Sequence, residues 1–171
     1  MSMHQYVELA KKAIAEYITT KKVLAAPGEL NADMKQKSGV FVCLKKHGEL
    51  CGCIGTFLPA APSLYEEIVR NAIAAATEDP RFYPVQARDL EHLQCSVDVL
   101  SAPERVKDVS ELDPKKYGII VSKDLRRGLL LPDLEGVDTV EEQLRITKMK
   151  AGIDPLDSNV EIYRFVVERY K

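Results

Sequence analysis

The run Leu50-Cys51-Gly52-Cys53-Ile54-Gly55-Thr56-Phe57 holds the residues best suited to chemistry, a thiol between two glycines in a strand-like segment. Glycine weakens a strand interior, so its presence on both sides of Cys53 has one of two causes. Either another backbone passes close by, or a ligand approaches the strand. A thiol of ordinary pKa ~8.5 turns nucleophilic at neutral pH only beside a cation or a helix N-terminus. Arg81 and the histidines His4, His47 and His92 are the available helpers, and no histidine stands at a spacing that demands a Cys–His pair. Cys53 is the candidate catalytic nucleophile, with simple packing as the competing explanation.

Metal binding fits the pattern poorly. Cys51 and Cys53 alternate onto one strand face about 6.6–7 Å apart, whereas zinc sites use tighter knuckles such as C-x-x-C. Whether Cys43 joins them depends on hairpin parity. A two- or four-residue loop at His47-Gly48, the commoner choice, sets Cys43 opposite Gly52 and on the other face. A three-residue loop sets it opposite Cys53. A Cys51–Cys53 disulfide is disfavoured because the two Cβ vectors run nearly parallel. No metal and no resident cofactor is expected, and the thiols are expected to be reduced.

The elements that must position these residues alternate irregularly. Val7, Ala10, Ile14 and Ile18 recur at helical spacing within an amphipathic stretch from Met3 to Leu24. His4 falls in its first turn, where an exposed residue is expected. Val40 to Leu44 and Leu50 to Ile54 read as a β-hairpin around Lys45 to Glu49. Ser63 with Glu66 forms a capping box for a second helix striped by Leu64, Ile68, Ala72 and Ala75, which Asp79-Pro80 stops. Leu93, Cys95, Val97 and Val99 alternate with polar residues as in a strand. Tyr117 to Val121 and Gly128 to Leu131 suggest another hairpin. Thr139 and Glu142 open a third helix with Val140, Leu144 and Ala151 on one face, ended by Gly152 and Pro155. Val160 to Val167 closes the chain as a strand. Interspersed helices and antiparallel hairpins favour an α+β fold over a doubly wound one.

The 171 residues suffice for one core, and the chain carries 24 basic and 26 acidic residues. A net charge of -2 supplies no overall field toward nucleic acid or acidic lipid, although Lys123, Arg126 and Arg127 cluster locally. No apolar run approaches the ~20 residues of a membrane span, and the N-terminus lacks a signal peptide's apolar stretch. A cytoplasmic protein is expected.

Leu50-Cys51-Gly52-Cys53-Ile54-Gly55, Asp79-Pro80-Arg81-Phe82, Gly128-Leu129-Leu130-Leu131-Pro132 and Lys150-Ala151-Gly152-Ile153 occur in that order. Together they resemble the AMMECR domain family across essentially the whole chain. The resemblance implies a single α+β domain over residues 1–171, with two lobes, about three main helices and a cleft lined by the signature segments. It also implies association with a Memo-like protein and a radical S-adenosylmethionine protein, and no settled activity. Carried over residue by residue, it marks Gly52, Cys53, Ile54, Gly55 and Thr56, then Asp79, Arg81 and Phe82, then Gly128, Pro132 and Lys150. The sequence departs from the family where Cys51 replaces a common arginine. If that arginine binds an anion in relatives, either Arg81, Arg127 or Lys150 serves here or the ligand is a different one. Lys148 stands near another frequent family cysteine, and the chain has no Trp.

Each marked residue also has a plain structural explanation. Asp79 caps a helix stop, Arg81 pairs at the surface for ~0–1 kcal/mol, Phe82 and Leu129 to Leu131 fill core, and Lys150 complements a helix dipole. Three functions stay open. One is a subunit or substrate-presenting module for the Memo-like and radical enzyme partners. The second is a cysteine-dependent enzyme acting on an anionic small molecule or nucleotide at Gly52, Cys53, Gly55, Thr56, Asp79, Arg81, Phe82, Arg127 and Lys150. RNA binding ranks behind both.

Overall fold

In the computed structural model, residues 2–171 are described, and they form two compact units. The first runs through Val99 and takes back Glu168–Lys171; the second is the intervening stretch Leu100–Val167. The first unit holds helix α1 (Gln5–Thr20), the short helix α2 (Ala32–Lys35) and helix α3 (Leu64–Thr77). Its sheet has the order β2-β1-β3-β8, where β1 is Val40–Lys46, β2 Glu49–Thr56, β3 Leu93–Leu100 and β8 Val167–Tyr170.

Alternation along β1 explains the layering. Val40, Val42 and Leu44 are fully buried in one apolar core with Ala10 and Ile14 of α1 and Leu64, Ile68 and Ala72 of α3. Phe41, Cys43 and Lys45 therefore face the other side of the sheet. Half of the expected capping box of α3 is present: the Ser63 hydroxyl accepts the Glu66 N–H at 3.3 Å, while the Glu66 carboxylate accepts the Ser63 hydroxyl in place of the backbone N–H. His4 is a half-buried N-cap and not an exposed first-turn residue. Its Nδ1 accepts the Tyr6 N–H and its ring stacks on Tyr170 at 4.2 Å, an apolar cover that spacing alone does not reveal.

The second unit has an antiparallel sheet ordered β4-β7-β5-β6: β4 is Glu104–Val106, β5 Gly118–Lys123, β6 Arg126–Leu130 and β7 Glu161–Phe165. Helix α4 (Val140–Lys150) starts at Thr139, whose hydroxyl accepts the Glu142 N–H as expected. Ile119, Val121, Leu130, Val137 and Ile153 fill this unit's core. The expected closing strand is broken in two at Val166, giving β7 and β8. Leu130 is core as expected, but Leu129 and Leu131 are only half-buried, because alternate strand residues face opposite sides. Val140, Leu144 and Ala151 pack only partly, while Gln143 and Thr147 are fully buried. Among the described residues, no helix is long and apolar enough to cross a membrane.

Candidate functional site

The first hairpin turns on two residues, since Lys46 pairs with Glu49 around His47-Gly48. Both sit at positive φ (52° and 81°), as a type I′ turn requires. Parity alone would then place Cys43 opposite Gly52. Instead Lys45 pairs with Leu50 and Leu44 with Gly52, leaving Cys51 as an extra, bulged residue. The bulge shifts the register by one. Cys43 falls opposite Cys53, and their sulfurs are joined as a disulfide. Two expectations are corrected here. Cys51 and Cys53 do not share a face, because Cys51 packs toward the helix-side core; and the thiols are not all reduced.

The two Cα atoms are 4.1 Å apart, the close spacing of an antiparallel pair without mutual hydrogen bonds. In such a pair both backbone polar groups of Cys53 point off the edge of the sheet, where β2 is the outermost strand. The Asp79-Pro80-Arg81 turn satisfies both. Asp79 Oδ2 accepts the Cys53 N–H at 3.0 Å, and an Arg81 guanidinium N–H donates to the Cys53 carbonyl at 3.3 Å. Asp79 also accepts from the Arg81 backbone N–H (3.1 Å), Nε (3.0 Å) and Nη2 (2.8 Å). The carboxylate is nearly sealed, at 2% side-chain exposure against 58% for Arg81. The guanidinium, and then the backbone N–H groups, hold the Asp79 carboxyl well below the usual carboxylate range despite burial. Arg81 also lies over the half-buried Phe82 ring at 5.2 Å.

The glycines have packing reasons. A Cβ on Gly52 would lie 2.1 Å from the Ala75 carbonyl oxygen of α3, and one on Gly55 would strike the Phe41 ring at 2.3 Å. Thr56 belongs to a buried polar group that the sequence reading passed over. Its hydroxyl donates to the Glu67 carboxylate and accepts from Asn71 Nδ2, which also reaches the Val40 carbonyl. Glu67 further accepts the backbone N–H groups of Ala60 and Ala61. The signal was present: Glu67 and Asn71 lie three and seven residues after Leu64, on the same buried helix face.

Arg127 and Lys150 lie in the second unit and are both exposed. Lys150 Nζ donates to the Leu129 carbonyl at 2.8 Å, pinning the end of α4 to β6. A Cβ on Gly128 would lie 2.5 Å from the Thr147 carbonyl oxygen, so this glycine admits α4 as Gly52 admits α3. Pro132 is half-buried just past β6. Lys148 is buried and donates to the Pro155 carbonyl.

The two free thiols differ in setting. Cys95 is buried, and that desolvation pushes its thiol up to about 12. Cys51 borders a hollow of about 400 Å³ with Lys46, Arg88 and Asp89, and burial raises its thiol as well. His47 and His92 face each other at 4.9 Å between ring centroids. Among the described residues, no three His, Cys, Asp or Glu side chains are grouped to hold a metal ion.

The family model AMMECR1 matches residues 7–170. A Thermotoga maritima protein is 58% identical over 98% of each chain. Protein CA_C1420 of Clostridium acetobutylicum is 49% identical over 97% of this chain, which spans 36% of that longer protein. The crystal structure of PH0010 from Pyrococcus horikoshii superposes with a TM-score of 0.84 at 36% identity, covering 96% of this chain and 88% of that one. Family model, sequence identity and α+β architecture agree, and the chain belongs to the AMMECR1 family.

Proposed function

We propose that this protein is a non-catalytic module that presents substrate to, or regulates, enzyme partners of the Memo-like and radical S-adenosylmethionine types. One observation carries the reading: every polar handle of Cys53 is already engaged. Its sulfur is bonded to Cys43, its N–H to Asp79 and its carbonyl to Arg81. Asp79 and Arg81 bond chiefly to each other and to this strand, which suits a rigid surface better than an acid–base pair. The competing reading, a cysteine-dependent enzyme on an anionic substrate, requires Cys53 as a free thiolate.

The test is co-purification with each partner and assay of the partner's turnover with a Cys43→Ser/Cys53→Ser double variant. Retained binding and turnover support the module. Loss of turnover with binding intact, together with faster alkylation of Cys53 than of either Cys43 or Cys95 after mild reduction at pH 7, would favour the enzyme instead.

A further inference from the structure

A second hollow, of about 560 Å³, lies in the first unit between α1 and the start of β3 and takes no part in the Asp79–Arg81 clamp. Its size is that of a site for a small organic ligand. Its lining includes the exposed apolar side chains of Met3 and Leu50, the buried Val7 and Leu93, and the cations Lys11, Lys45, Arg169 and Lys171. No Asp or Glu lines it. That is unexpected on a chain with more acidic than basic residues.

Only Arg169 has a carboxylate partner there. Its Nε and Nη2 each donate to Asp98 at 2.8 Å, and the Asp98 side chain is 2% exposed, so the guanidinium is held in a fixed orientation. Among the described residues, Lys11, Lys45 and Lys171 form no ion pair within 4 Å. Arg169 is thus neutralised by Asp98, whereas the three lysines lining the hollow have no such partner, and an anion seated there is attracted by all three. Met3 and Leu50 add a hydrophobic contribution proportional to the apolar area covered.

The geometry points to a binding site for a small amphiphilic anion, a carboxylate or phosphate head on an apolar body, with the head at Lys11 and Lys45 and the body on Met3 and Leu50, beside Val7 and Leu93. This site is independent of the partner-binding reading, so either can fail alone.

The test uses octanoate, octyl phosphate and octanol as probes, followed by amide chemical shifts and by calorimetry. At least one of the two anions binds, shifts the amides around Val7 and Leu93, and weakens tenfold or more in Lys11→Gln/Lys45→Gln, a surface double variant expected to keep the wild-type Tm. Octanol binds at least tenfold more weakly than that anion. Which anion binds distinguishes a carboxylate from a phosphate head. The proposal is overturned if neither anion binds, if octanol binds equally well, if the shifts map elsewhere, or if the double variant binds like wild type.

Discussion

The two units repeat one device and finish it differently. In each, a helix presses so closely on a hairpin strand that the strand must carry glycine: Gly52 of β2 under the Ala75 carbonyl of α3, and Gly128 of β6 under the Thr147 carbonyl of α4. In the first, the hairpin is bulged at Cys51, cross-linked through Cys43 and Cys53, and closed along its edge by Asp79 and Arg81. In the second, the β5–β6 register runs without a break, Lys150 ties helix to strand, and Arg126 of β6 reaches the Gly152 carbonyl just past the helix. The contrast teaches that Gly52 and Gly128 of this chain report helix approach, whereas Gly55 makes room for the Phe41 ring. Motif residues that differ between the two hairpins are where specialised roles should be sought.

The largest test of that comparison is Gly52→Ala. The clash is with backbone, which cannot swing away, so about 3 kcal/mol or more of stability should be lost in urea unfolding. Gly128→Ala should lose somewhat less, since its nearest atom is farther off and the next is a side chain. A neutral Gly52→Ala would mean that α3 does not sit so close.

Reducing the disulfide comes next. It closes a short loop of sequence separation 10, and its removal should cost about 2–3 kcal/mol by loop-closure entropy. Thiol titration of the unfolded, unreduced protein should find two free thiols, and four after reduction. Four at the outset would remove the cross-link from the comparison.

Asp79→Asn should cost about 2 kcal/mol near neutral pH, because it weakens several bonds made to a buried charge. Its pH dependence has a definite sign. A carboxyl held below its unfolded value of ~3.9 stabilises the fold fully above that value, and the contribution is lost as pH falls toward the folded one. The stability gap between wild type and Asp79→Asn should therefore stay constant above pH ~5 and narrow below pH ~4. A gap that widened in acid would contradict the clamp. Lys150→Ala has the smallest expected effect, about 0.5 kcal/mol, because its one bond is made at the surface.

Much of this was legible beforehand where the signal is local. Ser63 and Thr139 cap their helices as their spacing to Glu66 and Glu142 predicts, and the His47-Gly48 turn has the expected length. The partner of Cys43 was not legible, since one bulged residue reverses strand parity and nothing at Cys51 marks it as the extra one. Glu67 and Asn71 were overlooked because an apolar stripe draws attention to its apolar members.

The order of residues alone determined the main helices and hairpins and the α+β class, because caps, turns and periodicity act over a few neighbours. The ordered signature motifs carried the family resemblance. The short α2 and β4 were not legible. Only the tertiary structure decided which face each cysteine takes, that Asp79 and Arg81 close a strand edge, and that lysines from α1 and β1 share one hollow with Arg169 of β8. Those outcomes depend on register and on contacts between distant segments, which local propensity does not encode.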